Sequence, residues 1–285
     1  MVTAIAIPDS VAFEALEDSE RRAVQEIIAL VRSRIGIDFG LYRPGTVCRR
    51  VRNRMISAGI ESYEHYAEYL RASDAEAQKL LERLTIKVSR FYRHVPSFDC
   101  LRESVLPSLA KLRAGKPLRI ACHGCGHGEE AYTFAALMEE AGIAGHVEAS
   151  DVDARALETA RAALYEESAL DTLPQPLRAL CVEPAKAGRR SMFRVRQAVR
   201  ARVRFSEYDL TSGLPPPGSA PFDIVSCQNV LIYLQRPVQE RVSWMMRGCL
   251  AKGGFLCVGE AEWPPPAVAA TLSVISHATR VFRAI

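Results

Sequence analysis

Long apolar runs are missing from this 285-residue chain. None approaches the ~18–20 residues that a membrane helix needs, so insertion into a bilayer is not expected. The first twenty residues lack a basic stretch followed by a long apolar core, and no secretory signal is expected. There is no internal repeat and no low-complexity tract. A second C-x-x-C pair to partner Cys122-His-Gly-Cys125 is also lacking, and the glycine spacing already explains that stretch, which disfavours redox or metal chemistry there. An excess of either charge is missing too: 37 Lys and Arg against 33 Asp and Glu give a net +4, too small to argue for nucleic acid. No Ser-His-Asp or Cys-His set stands out, which disfavours chemistry by an activated protein nucleophile. The eight cysteines are scattered in apolar surroundings and read as reduced core residues of a cytoplasmic protein.

What is present is an ordinary globular composition, 48% hydrophobic and 25% charged, in a length that suits one large domain or two smaller ones. Residues 1–18 look poorly structured. Glu20 to Ile35 carries Val24, Ile27, Ile28, Val31 and Ile35 at helical spacing, and Gly36 stops it. Pro44 can open a second helix with Val47, Val51 and Met55 inward. Ser62 can cap a third helix with Tyr63, Tyr66 and Leu70. Leu80, Leu81 and Leu84 mark a fourth. An all-α N-terminal domain over 19–90 is expected. Its second helix is rich in arginine: Arg49, Arg50, Arg52 and Arg54. A solvated face is the plain reading. A docking surface for an acidic partner is the other, since arginine suits carboxylates.

After a helix around Phe98–Leu112, the chain changes character. Leu118 to Cys122 reads as a buried strand. It enters a turn with glycines at 124, 126 and 128, and a helix follows with Ala131, Phe134, Ala135 and Met138 on one face. Strand, glycine-rich turn and helix open a nucleotide-binding α/β fold. Glu129 and Glu130 at the helix mouth would repel a pyrophosphate, which disfavours NAD. They suit a cationic ligand, which points to S-adenosylmethionine (SAM). A second strand, His146–Ser150, ends at Asp151, placed to hold ribose hydroxyls. Asp153 rivals it for that role or caps a helix Ala154–Leu164. Residues 165–207 break the βα rhythm. Phe193, Val195, Val199, Val203 and Phe205 suggest a small antiparallel insertion leading into a core strand near Val203–Ser206. Asp209-Leu210 ends that strand. Phe222–Cys227 is a further buried strand, and Gln228-Asn229 follow it at the ligand crevice. Asn229 could instead cap a helix, and Tyr233 could be a core residue. Pro237 opens a helix with Val238, Val242, Met245 and Cys249 inward. Gly253-Gly254 turns the chain into Phe255–Gly259, and Thr271–Ile275 with Val281–Ile285 can close the sheet. His123 and His127 resemble metal ligands only superficially, and no metal is expected because no partner set has ligand spacing.

Four segments in order, Leu41 to Arg50, Leu84 to Arg93, Gly124 to Glu130 and Cys227 to Tyr233, resemble the chemotaxis receptor methyltransferases, the CheR family. The likeness runs from about Ile35 to the C-terminus. It implies a Rossmann-like class I SAM methyltransferase domain over 91–285, with the β-subdomain insertion at 165–207. It implies transfer of a methyl group from SAM to glutamate side chains of methyl-accepting chemoreceptor helices, leaving S-adenosylhomocysteine. By resemblance, Ser89 and Arg93 reach the cofactor from the linker, with Arg93 near the methyl. Gly124 belongs to the glycine loop. Glu129 takes the methionine amino group, Asp151 the ribose, Asp209 and Leu210 the adenine. Gln228 and Asn229 line the other side, and Tyr233 stands near the methyl. The arginine-rich helix meets the receptor's acidic surface. A monomer is expected. Three positions depart from the pattern. Lys87 stands where an Asn often touches the cofactor, and a lysine would repel a sulfonium unless it meets the methionine carboxylate. His94 replaces a common acidic residue. The stretch Cys181 to Arg190 lacks a glycine-rich tip, so gripping of a receptor peptide is not expected. A SAM-binding regulatory module, or a methyltransferase for another carboxylate acceptor, is the alternative.

Overall fold

The computed structural model describes residues 13–285 apart from 15, 86, 88, 188–189 and 217–220. The first twelve residues, expected to be poorly structured, lie outside the described residues. The chain divides into two compact units. One contains the residues up to 86 together with 233–236, and the other contains 87–232 and 237–285.

The first unit is helical. Helix α1 (Asp18–Ile35) starts two residues before the periodicity predicts, because Glu17 and Glu20 form a reciprocal capping box. Gly36 at φ +82° ends it in a left-handed conformation that suits glycine. Helix α2 (Pro44–Ala58) has proline in its first turn and buries Val47, Val51 and Met55. Helix α3 (Tyr63–Ala72) is capped by Ser62, whose hydroxyl accepts from the His65 amide at 3.2 Å. Helix α4 (Asp74–Leu84) is capped in the same way by Ser73 and buries Leu80, Leu81 and Leu84. Helix α1 packs on α3 and α2 on α4. Each buried Leu, Ile or Val of these stripes contributes about 1.5–3 kcal/mol. Residues 233–236 join this unit by backbone pairing: the Arg43 amide donates to the Tyr233 carbonyl at 2.8 Å and the Gln235 amide to the Leu41 carbonyl at 3.0 Å.

The second unit is built on a seven-stranded sheet. Helix α5 (Val95–Cys100) runs through a π turn, Leu101–Val105, into α6 (Leu106–Leu112). Then come β1 (Leu118–His123), α7 (Glu129–Glu140), β2 (Gly145–Asp151) and α8 (Ala154–Ala162). The insertion holds β3 (Leu164–Tyr165), α9 (Gln175–Cys181), β4 (Val182–Ala187) and β5 (Arg190–Val195). Helix α10 (Gln197–Arg200) leads to β6 (Val203–Glu207). The rest comprises β7 (Phe222–Cys227), α11 (Arg236–Gly248), β8 (Leu250–Val258), α12 (Pro266–Ala269), β9 (Leu272–Ser276) and β10 (Val281–Ala284). The strand order is β6-β2-β1-β7-β8-β10-β9. The first five strands run parallel, and β10 is antiparallel to both neighbours. The order reverses between β1 and β7, which opens a ligand crevice at their carboxyl ends. Strands β1 and β7 are almost wholly buried, which accounts for their continuous apolar runs.

Four expectations need correction. Leu164 lies in β3, because the chain leaves α8 at Ala163 with φ +54°. Val199 is in α10, where its buried side chain serves a helix. Asp209-Leu210 lies beyond β6: Asp209 caps a 3₁₀ turn, Leu210–Ser212. Gly253-Gly254 sits inside β8, at a register shift against β7, with Gly253 at φ +70°. At Gly254 a Cβ would come within 2.9 Å of the Ala251 carbonyl oxygen, so the bulge requires glycine there.

Candidate functional site

The site grows from the carboxyl ends of the parallel strands. Beyond β1 the chain turns through Gly124, Gly126 and Gly128, with φ of +66°, +53° and +93°. A Cβ at Gly124 would lie 2.4 Å from Val230 Cγ2, and one at Gly128 2.9 Å from Ala160 Cβ, so both positions need glycine for space as well as for conformation. The Gly126 amide donates to Asp151 Oδ2 at 2.8 Å, which ties the loop to the end of β2. The Asp153 amide donates to Asp151 Oδ1 at 3.0 Å.

Asp153 does cap α8, accepting from the Arg155 and Ala156 amides at 3.0 and 3.2 Å. It also forms an ion pair with Lys87, which the sequence could not foresee. The Asp153 side chain is fully buried and the Lys87 side chain is 16% exposed. The Lys87 ammonium thus neutralises a buried carboxylate, and the expected repulsion of a sulfonium loses its basis.

The linker is held by its aromatic residues. Phe91 and Tyr92 are fully buried. Tyr92 takes φ +56°; its amide donates to Thr133 Oγ1 at 3.1 Å and its hydroxyl to Asp99 at 2.8 Å. The Phe91 amide donates to the Ala169 carbonyl at 2.9 Å. With these two anchored, Arg90 and Arg93 on either side stay exposed. They line a cavity of about 200 Å³ together with His94, Asn229 and Glu260. His94 is buried and Ser97 Oγ lies 2.8 Å from its Nδ1. Burial lowers its pKa, so the neutral imidazole prevails at pH 7.

Glu129 and Glu130 face different surroundings. Glu129 is 4% exposed and its Oε2 has no hydrogen-bond partner. Burial lifts its pKa to about 6, against hydrogen bonds from its own backbone amide and the Ser89 hydroxyl. Ser89 and Glu129, two sequence candidates, therefore touch. Glu130 accepts from Ser226 Oγ at 2.7 Å and Cys122 Sγ at 3.3 Å, and burial lifts its pKa to about 7. Gln228 Nε2 donates to Ser226 Oγ at 3.3 Å, extending this chain to the end of β7. Asn229 takes φ +60°, so it is a turn residue and not the cap of α11. Asp209 Oδ1 accepts from the Thr211 amide and hydroxyl at 2.8 and 2.7 Å. Leu210 is buried beside it. His123 is buried against Ser150, and burial depresses its pKa to about 4. Among the described residues no cluster of three or more His, Cys, Asp or Glu could hold a metal ion.

The residues fit a SAM cofactor on the structure's own terms. Glu129 Oε2 is a buried carboxylate oxygen lacking a donor, and such an atom suits an ammonium group. Asp151 lies at the end of β2, where a ribose fits this fold. Lys87, Ser89, Arg93, Gly124, Glu129, Asp151, Asp209, Leu210, Gln228 and Asn229 all belong to the second unit. Tyr233 belongs to the helical unit, where the Arg50 guanidinium lies 5.4 Å from its ring centroid. Glu262, which the sequence reading missed, is a buried carboxylate beyond β8 that accepts from the Asn229 amide at 2.8 Å.

The four arginines of α2 differ in their partners. Arg54 is turned into its own unit: Nε and Nη2 bond the two Glu76 oxygens at 2.6 and 2.8 Å, and the Tyr66 hydroxyl joins them. Arg50 Nη1 donates to the Arg83 and Leu84 carbonyls at 3.0 and 3.2 Å. Arg50 and Arg54 therefore tie α2 to α4. Arg49 and Arg52 are exposed, with Ile56 (69% exposed) on the same face of α2.

Comparison with known proteins agrees with this geometry. Residues 87–278 match the CheR methyltransferase, SAM binding domain, and residues 22–85 the CheR methyltransferase, all-alpha domain. A 104.1 kDa protein of Rhodobacter capsulatus is 32% identical over 96% of this chain and 28% of its own length. A probable biofilm formation methyltransferase, WspC, of Pseudomonas aeruginosa is 30% identical over 82% of this chain and 55% of its own. A probable chemotaxis protein methyltransferase of Rhizobium etli is 30% identical over 82% of this chain and 89% of its own. The chain thus spans about a quarter and about half of the first two relatives. Among the described residues no helix is long and apolar enough to cross a membrane. A buried carboxylate oxygen without a donor behind a glycine turn, a helical unit before it and two consecutive domain matches lead to one conclusion: the chain belongs to the CheR methyltransferase family and carries its SAM-binding domain.

Proposed function

We propose that the chain is a protein-glutamate O-methyltransferase acting on the cytoplasmic helices of methyl-accepting chemoreceptors. The observation that carries this reading is the unsatisfied Glu129 Oε2 in the same unit as a cavity walled by Arg90 and Arg93. One group suits a cation and the other suits an incoming carboxylate. SAM, when bound, supplies a methyl group on a positively charged sulfur. Glu129 with Ser89 would hold the methionine amino group, Asp151 the ribose, and Asp209-Leu210 the adenine. Gln228 and Asn229 would line the remaining side.

A glutamate with pKa near ~4.3 is already ionised at neutral pH, so no protein base is needed. Bound SAM would supply that methyl to the acceptor carboxylate oxygen, the electron pair of its C–S bond leaving on sulfur as S-adenosylhomocysteine. Arg93 would orient the acceptor and keep it in line with the methyl. Tyr233, placed near the methyl by resemblance alone, is tested by Tyr233→Phe. Arg49 and Arg52 would meet the acceptor's acidic surface, in a cytoplasmic monomer.

Radiolabelled methyl transfer from SAM to receptor-enriched membranes tests the reading. The label should be base-labile, as methyl esters are, and should be released as methanol. Labelling that survives base, or that appears on no protein, would refute glutamate methylation. Arg93→Ala removes a charge-assisted bond of about 1.5–3 kcal/mol and should slow single-turnover transfer roughly 10- to 100-fold. A rate equal to the parent's would remove Arg93 from that role.

A further inference from the structure

Glu262 combines several costly features at one point. Its side chain is buried, at 4% exposed. Its Oε2 accepts from the Gly259 amide at 2.6 Å and the Asn229 amide at 2.8 Å, and its Oε1 accepts from the Ile232 amide at 3.1 Å. The Val230 amide also donates to it. One acceptor thereby ties Gly259, just beyond β8, to the turn that follows β7, where the left-handed Asn229 lines the cavity. Asn229 at φ +60° is a conformation that a non-glycine residue adopts only at some cost. Gly259 has no room for a side chain, since its Cβ would stand 2.6 Å from Glu262 Oε2 and 2.7 Å from the Asn229 nitrogen. A buried carboxylate, a left-handed asparagine and an obligatory glycine converge on one loop. Strain concentrated in this way marks a place where geometry is held for function.

We propose that Glu262 is a positioning residue for methyl transfer: its carboxylate gathers the amides of Asn229, Val230, Ile232 and Gly259 and so fixes the wall of the cavity that Arg90, Arg93 and Asn229 line. The inference rests on the reading of that cavity as the transfer site. It assigns Glu262 no contact with substrate. Its effect passes through Asn229.

Glu262→Gln tests this with little change of shape. The amide nitrogen would face backbone N–H groups that cannot accept from it, and at least one donor would be orphaned. At saturating SAM, single-turnover transfer per folded molecule should fall on the order of 100-fold, the scale of an ångström misplacement. A purely structural role would lower the melting temperature and leave that rate unchanged. Gly259→Ala displaces the same carboxylate without removing it and should give the same loss. In the parent protein, amide hydrogen exchange should show the Asn229, Val230, Ile232 and Gly259 amides strongly protected although they lie in loops and at a strand end. In the glutamine variant these four should lose protection while the β1 amides keep theirs. Fast exchange at the four amides in the parent, or a variant rate within twofold of the parent, overturns the proposal. The exchange result is independent of catalysis, so failure of the parent to methylate any receptor would refute the proposed function and with it a role in transfer, while exchange would still decide whether Glu262 holds the four amides.

Discussion

At the scale of single residues, Glu129 and Glu130 are the instructive pair. Both are carboxylates at the mouth of α7, and burial raises both, to about 6 and about 7. Of the two, it is Glu129 whose Oε2 is fully buried without a partner, while Glu130 is half-buried and takes both its bonds on Oε1. A protonated Glu129 cannot pair with an ammonium, so the sign is fixed: SAM affinity should rise with pH. Below pH 6 the gain approaches about tenfold per unit, as for one ionisation, and it levels off above pH 7. Calorimetric titration between pH 5 and 7.5 would show it. Glu129→Gln should lower the affinity and flatten the profile. An unchanged profile in that variant would move the ammonium site elsewhere. Lys87 shows the opposite lesson. From its neighbours in sequence it threatens a sulfonium; from its neighbours in space it neutralises Asp153. Removing it by Lys87→Ala would take the counter-charge from a buried carboxylate that keeps its amide donors, a loss of about 3–5 kcal/mol in denaturant unfolding.

At the scale of elements, local chemistry made most of the second unit legible. The strands β1 and β7 announce themselves as short apolar runs, and in the helical unit the starts of α3 and α2 show as the cap Ser62 and the first-turn Pro44, because each signal is carried within a few residues. Contacts between distant segments carry no such signal. Arg54 reads as a docking residue until Glu76, twenty-two positions away, is seen beneath it. Glu262 reads as one acidic residue after a strand until the amides of another loop converge on it. Val199 has a strand-like spacing that α10 overrides, because four residues of helix suffice to bury it. The glycine turn, legible as a pattern, gains its reason from packing. Gly128→Ala would place a Cβ 2.9 Å from Ala160 and 3.1 Å from the Phe205 ring, at φ +93°. The left-handed backbone costs roughly 1–2 kcal/mol and the overpacking about 1–3 more. Urea unfolding of the cofactor-free chain should therefore report a loss of about 2–5 kcal/mol.

At the scale of the whole molecule, the candidate groups fall into two sets. Every candidate cofactor residue lies in the unit built on the sheet, while Arg49 and Arg52 lie on the helical unit. Binding of SAM and recognition of an acidic acceptor should then be separable by mutation. Reversing both charges, Arg49→Glu with Arg52→Glu, removes two attractions and installs two repulsions at an exposed face. At about 0.7 kcal/mol for each position, the acceptor KM should rise roughly tenfold. The dissociation constant for SAM should not change. Exposed charges are screened within about 8–10 Å at ordinary ionic strength, so the difference between parent and variant should shrink as salt is raised. Arg54→Glu cannot serve in the same test. It would put a second carboxylate against the buried Glu76, and its effect would be unfolding of the helical unit rather than weaker docking. If the double reversal left the acceptor KM unchanged at low salt, the exposed face of α2 would not be the docking surface, and recognition would have to be sought on the sheet unit itself.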